Sequence, residues 1–205
     1  SEYFLEAAEN GNIEASNYLC EIYKLEKHNM QSSELASKHC QIAVNHELPR
    51  AIHANNLYQI TVDENSLLAL IKNASKRWIP SHLALVKGVM KGNFKKHRKE
   101  IFQLFNLGFN GAQNEFYKDI NELKAFYYRY WQRYPNKADK ELAFKYLNEA
   151  RKAQQPMAMT DWAIINLDNQ NEQAHKLLKL AAQAQEPTAN AVLGSLYLNT
   201  DSGFT

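Results

Sequence analysis

Ala143-Phe144-Lys145-Tyr146-Leu147-Asn148-Glu149-Ala150-Arg151-Lys152-Ala153-Gln154-Gln155-Pro156-Met157-Ala158 is the stretch that decides the fold. Ala143, Leu147 and Ala150 recur at steps of four and three, which puts small and aliphatic side chains on one face of a helix. Pro156 then marks a new helix start, because proline fits the first turn, where its missing N–H costs nothing. The stretch reads as helix, tight turn, helix. The same frame returns at Ala36/Cys40/Ala43/Pro49/Ala51, at Leu67/Ile71/Ala74/Pro80/His82 and at Ala174/Leu178/Ala181/Pro187/Ala189. Two weaker copies lack the proline, one around Ala7 with Phe4 and Ala15, the other around Leu104 with Ile101 and Ala112. The frame positions 7, 43, 74, 104, 150 and 181 are spaced by 36, 31, 30, 46 and 31 residues. Self-similarity at a few tens of residues marks a stacked repeat, in which each unit buries its apolar face against its neighbours.

Each copy holds two helices. The first kind carries Ala189, Leu193, Gly194 and Tyr197 on one face, and again Ala15, Leu19, Cys20 and Tyr23. The second kind carries Ala174, Leu177, Leu178, Ala181 and Ala182. No segment alternates convincingly as a strand, since Ile60-Thr61-Val62 is too short. The expected fold class is therefore all-α, an α-solenoid of helix-turn-helix units running as one body through residues 1–205, with about six units and partial ones at the ends. The 46-residue step holds about 15 extra residues, read as an inserted or extended aromatic helix over 119–135. Asp119 or Asn121 is its expected cap, and Pro135-Asn136 its end. The chain opens inside the second helix of one unit and closes after the first helix of another, so a piece of a longer protein is expected.

With those residues in view, the pattern resembles the Sel-one-like repeat family, a bacterial branch of the tetratricopeptide superfamily. Its first helix, A-x-x-x-L-G-x-x-Y, is met by Ala189–Leu193–Gly194–Tyr197, and with cysteine for glycine by Ala15–Leu19–Cys20–Tyr23. Its second helix and glycine turn are met by Ala174–Leu177–Leu178–Ala181–Ala182 and by Ala7–Ala8–Glu9–Asn10–Gly11. The middle units depart from it. Ala51–Asn55–Asn56–Gln59 sets polar residues where the core belongs, His82 replaces the alanine, and Ala158–Trp162–Ala163–Asn166 lacks the tyrosine. The resemblance implies a right-handed superhelix whose first helices line a concave groove for a protein or peptide, often in envelope biogenesis, secretion or host contact. It also implies a periplasmic or exported location over a cytoplasmic one, with the targeting segment outside this piece. On the family's pattern, groove positions fall two, three and six residues after each helix-start alanine. They are Asn17, Tyr18 and Glu21, then His53, then Asn114, Glu115 and Lys118, then Thr160 and Asp161.

The aromatic helix offers a second candidate surface. Phe126, Tyr130 and Tyr134, flanked by Tyr127 and Trp131, are expected to pack inward, which leaves Tyr128, Arg129, Gln132 and Arg133 outward. Tyr, Trp and Arg are the types enriched at interface hot spots. The same rings suit stacking on sugars, so an envelope polysaccharide is the alternative partner to a protein or peptide.

Catalysis is not expected. The chain has no phosphate-binding loop, no Ser-x-x-Lys and no nucleophile elbow. His46-Glu47-Leu48-Pro49-Arg50 is half of a zinc-protease motif, but arginine stands where the second histidine would be and Pro49 breaks the helix. No metal or other cofactor is expected. Gly88 and Gly92 are read as helix ends, and His39 and His46 as interfacial residues of one helix face. Net charge is +2, from 24 basic and 22 acidic residues, so Lys95–Lys96–His97–Arg98–Lys99 reads as a solvated loop and no nucleic-acid partner is expected. No run of 18 apolar residues suggests an integral membrane protein. Cys20 and Cys40 read first as buried small hydrophobes. The second reading is a bridge between paired helices, which would point to an oxidising compartment, and metal ligation is the third.

Overall fold

The computed structural model describes residues 2–25, 33–109, 114–167 and 172–199. Every element among them is helical. They are α1 (Glu2–Glu9), α2 (Ile13–Lys24), α3 (Ser33–Asn45), α4 (Pro49–Asn56), α5 (Glu64–Ser75), α6 (Ile79–Met90), α7 (Arg98–Gln103), α8 (Tyr117–Arg133), α9 (Lys140–Lys152), α10 (Pro156–Ile165), α11 (Glu172–Gln183) and α12 (Pro187–Asn199). Short 3-10 turns at Leu104–Leu107 and Asn114–Phe116 extend α7 and lead into α8. The chain divides into two compact units, Ser1–Ala112 and Gln113–Thr205. No described helix is long and apolar enough to cross a membrane.

Within the first unit, each helix packs on the next in sequence from α1 to α7, and α2 also packs on α4. Within the second, α8 to α12 do the same, while α10 also touches α8 and α12. Neighbour-on-neighbour packing follows from the frame. The small residues Ala36, Ala43, Ala51, Ala143, Ala150, Ala158, Ala174, Ala181 and Ala189 are all buried, and let backbones approach closely. Leu19, Leu147 and Leu178 are fully buried between them.

The turns carry the repeat more faithfully than the letters do. After α1, α3, α5, α9 and α11 the chain enters the left-handed region at Gly11, Glu47, Arg77, Gln154 and Gln185. In each turn the next N–H returns to a carbonyl near the helix end: Asn12 to Ala7, Leu48 to Ala43, Trp78 to Asn73, Gln155 to Ala150, and Glu186 to Ala181, at 2.9–3.3 Å. The third copy therefore runs one residue earlier than its alanine and proline suggest. Its frame residues are Ser66, Leu70, Asn73, Ile79 and Ser81, all buried, and Pro80 is the second residue of α6. His82 accordingly does not replace the alanine; Ser81 does.

Four of the five turns use a residue with a Cβ where glycine would be unstrained. The left-handed conformation costs a side-chain-bearing residue about 1–2 kcal/mol, against about 0.5–1 kcal/mol of extra chain entropy lost by glycine. Gln154 and Gln185 are exposed. Gln154→Gly and Gln185→Gly are each expected to stabilise the fold by about 0.5–1 kcal/mol, read as a rise in melting temperature. A fall in both would contradict the turn assignment.

Several expectations need correction. Of the two readings of 119–135, residues 119–133 follow the extended one, lying within a lengthened α8 that is the hairpin partner of α9, while the cap is corrected: Asp119 and Asn121 fall inside the helix. Gly92 does end α6, with φ +93°, but Gly88 lies within that helix, where a Cβ would clash with the Phe94 ring. Gly194 and Tyr197 are exposed, since no later described helix covers that face of α12. His39 is buried against Ser16 Oγ at 3.3 Å, with its ring pKa lowered by burial and by Lys38, while His46 is exposed beyond the end of α3.

The cysteines follow the second of the three readings. Cys20 of α2 and Cys40 of α3 form a disulfide, their Cα atoms 4.6 Å apart. The paired helices bring two frame positions face to face, which periodicity alone does not reveal. A cross-link across a sequence separation of 20 removes about 3 kcal/mol of unfolded-chain entropy. Replacing both cysteines by alanine is expected to cost about that much in denaturant unfolding of the first unit, and an unchanged midpoint would show the bridge to be idle.

Candidate functional site

Three helices of the first kind, α8, α10 and α12, meet around one cluster of charge. Arg129 of α8 donates from Nε to Asp161 Oδ2 at 2.8 Å and from Nη2 to Asp161 Oδ1 at 2.9 Å, a two-pronged pair with α10. Its Nη2 also reaches Glu186 Oε1 at 3.3 Å. Glu186 caps α12, its Oε2 accepting the Ala189 N–H at 2.7 Å, and Thr160 Oγ1 lies 3.2 Å from the same oxygen. Asp161, Glu186 and Thr160 are buried, and the Arg129 side chain keeps 23% of its exposure.

Two carboxylates share one guanidinium. Burial pushes the Asp161 carboxyl above the usual carboxylate range, against the pull of Arg129 and with a further push from the charge of Glu186. Burial disfavours the charge of Arg129, but Asp161 and Glu186 outweigh it and hold the guanidinium above its ordinary value. The cluster is a clamp between helices. Over it opens a pocket of about 460 Å3, lined by Arg129, Gln132 and Arg133 of α8, Asp161 and Ile164 of α10, and Thr188 of α12. Gln132, Arg133 and Ile164 are exposed at its rim.

Four expected site residues thus meet in one place, with different parts to play. Arg129 and Asp161 form the floor and are spent on each other, whereas Gln132 and Arg133 face solvent. Thr160 is fully buried under the cap of α12. Tyr128 is a correction: it is buried, packed edge-on against Phe144 and tilted on Trp131, with its hydroxyl accepting from Gln132 Nε2 at 3.1 Å. Burial, with the charge of Asp161, raises its phenol pKa. Tyr127 and Tyr130 are buried as well, Phe126 and Trp131 are half-buried, and Tyr117 at the start of α8 is exposed. Glu115 and Lys118 are exposed, and the side chain of Asn114 lies outside the described residues.

In the first unit the expected groove residues split in the same way. Asn17 and His53 are buried links between successive first helices. Asn17 Oδ1 accepts the Ala51 N–H at 2.9 Å, capping α4 from α2, and His53 Nδ1 lies 3.1 Å from Ser81 Oγ of α6. Tyr18 and Glu21 reach the surface around Arg50 of α4, which pairs with Glu21 and lies 4.5 Å over the Tyr18 ring. Glu186 was missed because glutamate is an unusual cap. Its place before Pro187, matching Gln155 before Pro156, was the available signal. Among the described residues, no cluster of three or more His, Cys, Asp or Glu is placed to hold a metal ion.

No family model matches this chain, and no curated protein sequence matches it.

Proposed function

We propose that this chain is a non-catalytic interaction scaffold, a right-handed α-solenoid of the Sel-one-like, tetratricopeptide kind, that holds a segment of a partner protein on the face of its first helices. The observation that carries the reading is the pocket floored by Arg129 and Asp161. Three successive first helices contribute to it, and a satisfied ion cluster leaves the exposed Gln132, Arg133 and Ile164 to meet a ligand. A floor whose charges are already paired gives a surface that is rigid but not reactive. The rim then offers the exposed Arg133 guanidinium, 5.6 Å over the Tyr134 ring, beside the aliphatic Ile164, which suits a peptide with an acidic and an apolar side chain. The Cys20–Cys40 bridge supports an oxidising compartment, in keeping with an exported protein.

Selection of random peptides displayed on phage, with depletion on an Arg133→Glu/Ile164→Asp variant, tests the reading. The expected outcome is an enriched acidic and apolar motif that the variant does not hold. Enriched peptides that bind both proteins equally would remove the pocket from the account.

A further inference from the structure

Outside the terminal helices α1 and α12, the two most exposed large apolar side chains among the described residues are Val62, 84% exposed, and Tyr58, 66% exposed. Both stand in the loop between α4 and α5. That loop closes on itself, the Val62 and Asp63 N–H groups donating to the Gln59 carbonyl at 3.0 and 2.8 Å. Beside it lies the loop between α6 and α7, which brings the basic run that starts at Lys95. Phe94 pins this second loop from beneath. It takes the left-handed conformation at φ +54°, and its ring lies so close to Gly88 that a Cβ there would clash. The two loops share a hollow of about 300 Å3, with Ile60, Val62, Leu67, Phe94, Lys95 and Lys96 among its lining. A single exposed apolar side chain is ordinary, but apolar tips set beside cations make a surface of definite chemistry.

The cations of this edge are not neutralised at contact. Lys91, Lys95, Lys96 and Lys99 are exposed, and none makes an ion pair among the described residues. The acids nearby are engaged elsewhere. Asp63 caps α5, accepting from the N–H groups of Asn65 at 3.3 Å and Ser66 at 2.8 Å. Glu64 and Glu100 flank His97 at 3.4 and 3.2 Å. With Arg98, five basic side chains stand against these three acids, an excess of two positive charges before His97 is counted. The whole chain carries a net +2, so this one edge holds as much positive charge as the entire molecule has in excess. Such a field reaches about 8 Å into physiological salt, enough to meet an anionic surface before contact.

We propose that this edge of the first unit docks the chain on a bilayer that contains anionic lipid, with Val62 and Tyr58 entering the headgroup region and Lys95, Lys96 and Lys99 meeting lipid phosphates. The pairing of side-chain types favours a lipid surface over a nucleic acid. Phosphates of a polymer would use the lysines but leave Val62, which has no ring to stack on a base, in water. A headgroup layer uses both, because its phosphates lie just above a region that accepts apolar side chains, and tyrosine suits that boundary. The contact is peripheral, in keeping with described helices that are too short or too polar to cross a membrane. It does not rest on the α8–α10–α12 pocket or on what binds there.

The test is co-sedimentation of the chain with phosphatidylcholine vesicles, with and without phosphatidylglycerol, and parallel titration with heparin as a soluble polyanion. Three double variants are compared: Lys95→Glu/Lys96→Glu, Val62→Ser/Tyr58→Ser, and Lys176→Glu/Lys179→Glu, which makes the same charge change at exposed positions of α11. All substitute exposed side chains, and helicity by circular dichroism confirms that each folds. The expected result is binding to the phosphatidylglycerol vesicles alone, falling as salt rises. That binding is expected to weaken at least about tenfold in Lys95→Glu/Lys96→Glu and several-fold in Val62→Ser/Tyr58→Ser, and to hold in Lys176→Glu/Lys179→Glu. Three results would overturn the proposal: no binding to the anionic vesicles, an equal loss in both lysine variants, or heparin binding as tight as vesicle binding together with no effect of Val62→Ser/Tyr58→Ser. The last would assign the edge to a polyanion instead of a bilayer.

Discussion

Arg129→Ala is expected to cost the second unit about 3–5 kcal/mol at neutral pH, the largest effect of any single substitution considered. The loss exceeds what an exposed ion pair is worth, because the partners do not leave with the arginine. Asp161 and Glu186 stay buried, 7% and 8% exposed, facing each other without a cation. Stranding a buried charge costs far more than the pair contributes when whole. The effect is expected to shrink in acid, since burial and the charge of Glu186 already hold the Asp161 carboxyl above its usual range and protonation relieves it. Arg133→Ala, one helical turn on and exposed, is expected to stay within about 0.5 kcal/mol. Denaturant unfolding of both variants at neutral and acid pH checks the pair. An Arg129→Ala protein within about 1 kcal/mol of the parent would mean that the clamp is ornamental.

Acid is expected to weaken the first unit through His82. Its imidazole is pushed from the ordinary 6.5 down to about 4 by burial, weakly opposed by the Ile101 carbonyl. It lies edge-on to Phe105, with ring centroids 4.6 Å apart. Between those two values the unfolded chain binds a proton that the folded chain does not. Stability is therefore full above about 6.5 and falls as pH drops toward 4, by about 1.4 kcal/mol per pH unit and about 3 kcal/mol in all. His39, also lowered by burial, adds in the same direction. His82→Phe is expected to flatten the slope of stability against pH across this window. A slope unchanged by that substitution would assign the acid sensitivity elsewhere.

The helical class and the helix pairing were legible because small residues at fixed steps and a proline at each restart leave few alternatives. The one-residue shift at α5 was hidden by a coincidence of letters: Ala74 and Pro80 keep the spacing of the frame, while Asn73 and Ser81 occupy its buried places. Polar side chains at small-residue positions carry no helix-face signal until their hydrogen bonds are known. The same gap explains the site residues. Periodicity placed Gln132 and Arg133 outward correctly, but it could not separate them from Tyr128, Asn17, His53 and Thr160, whose burial depends on the neighbouring helix. The disulfide stood only second among the readings of Cys20 and Cys40, because it joins two helices whose relative rotation the sequence leaves open.

Site-specific photo-crosslinking tests most directly whether the first-helix face is where recognition happens. Benzoylphenylalanine would be placed in turn at Gln132 of α8, Ile164 of α10 and Leu180 of α11, the last an exposed position on a second helix. In the cells that make the protein, the account predicts a shared adduct from positions 132 and 164 and none from 180. An adduct from 180 alone, or silence at both 132 and 164, would contradict it.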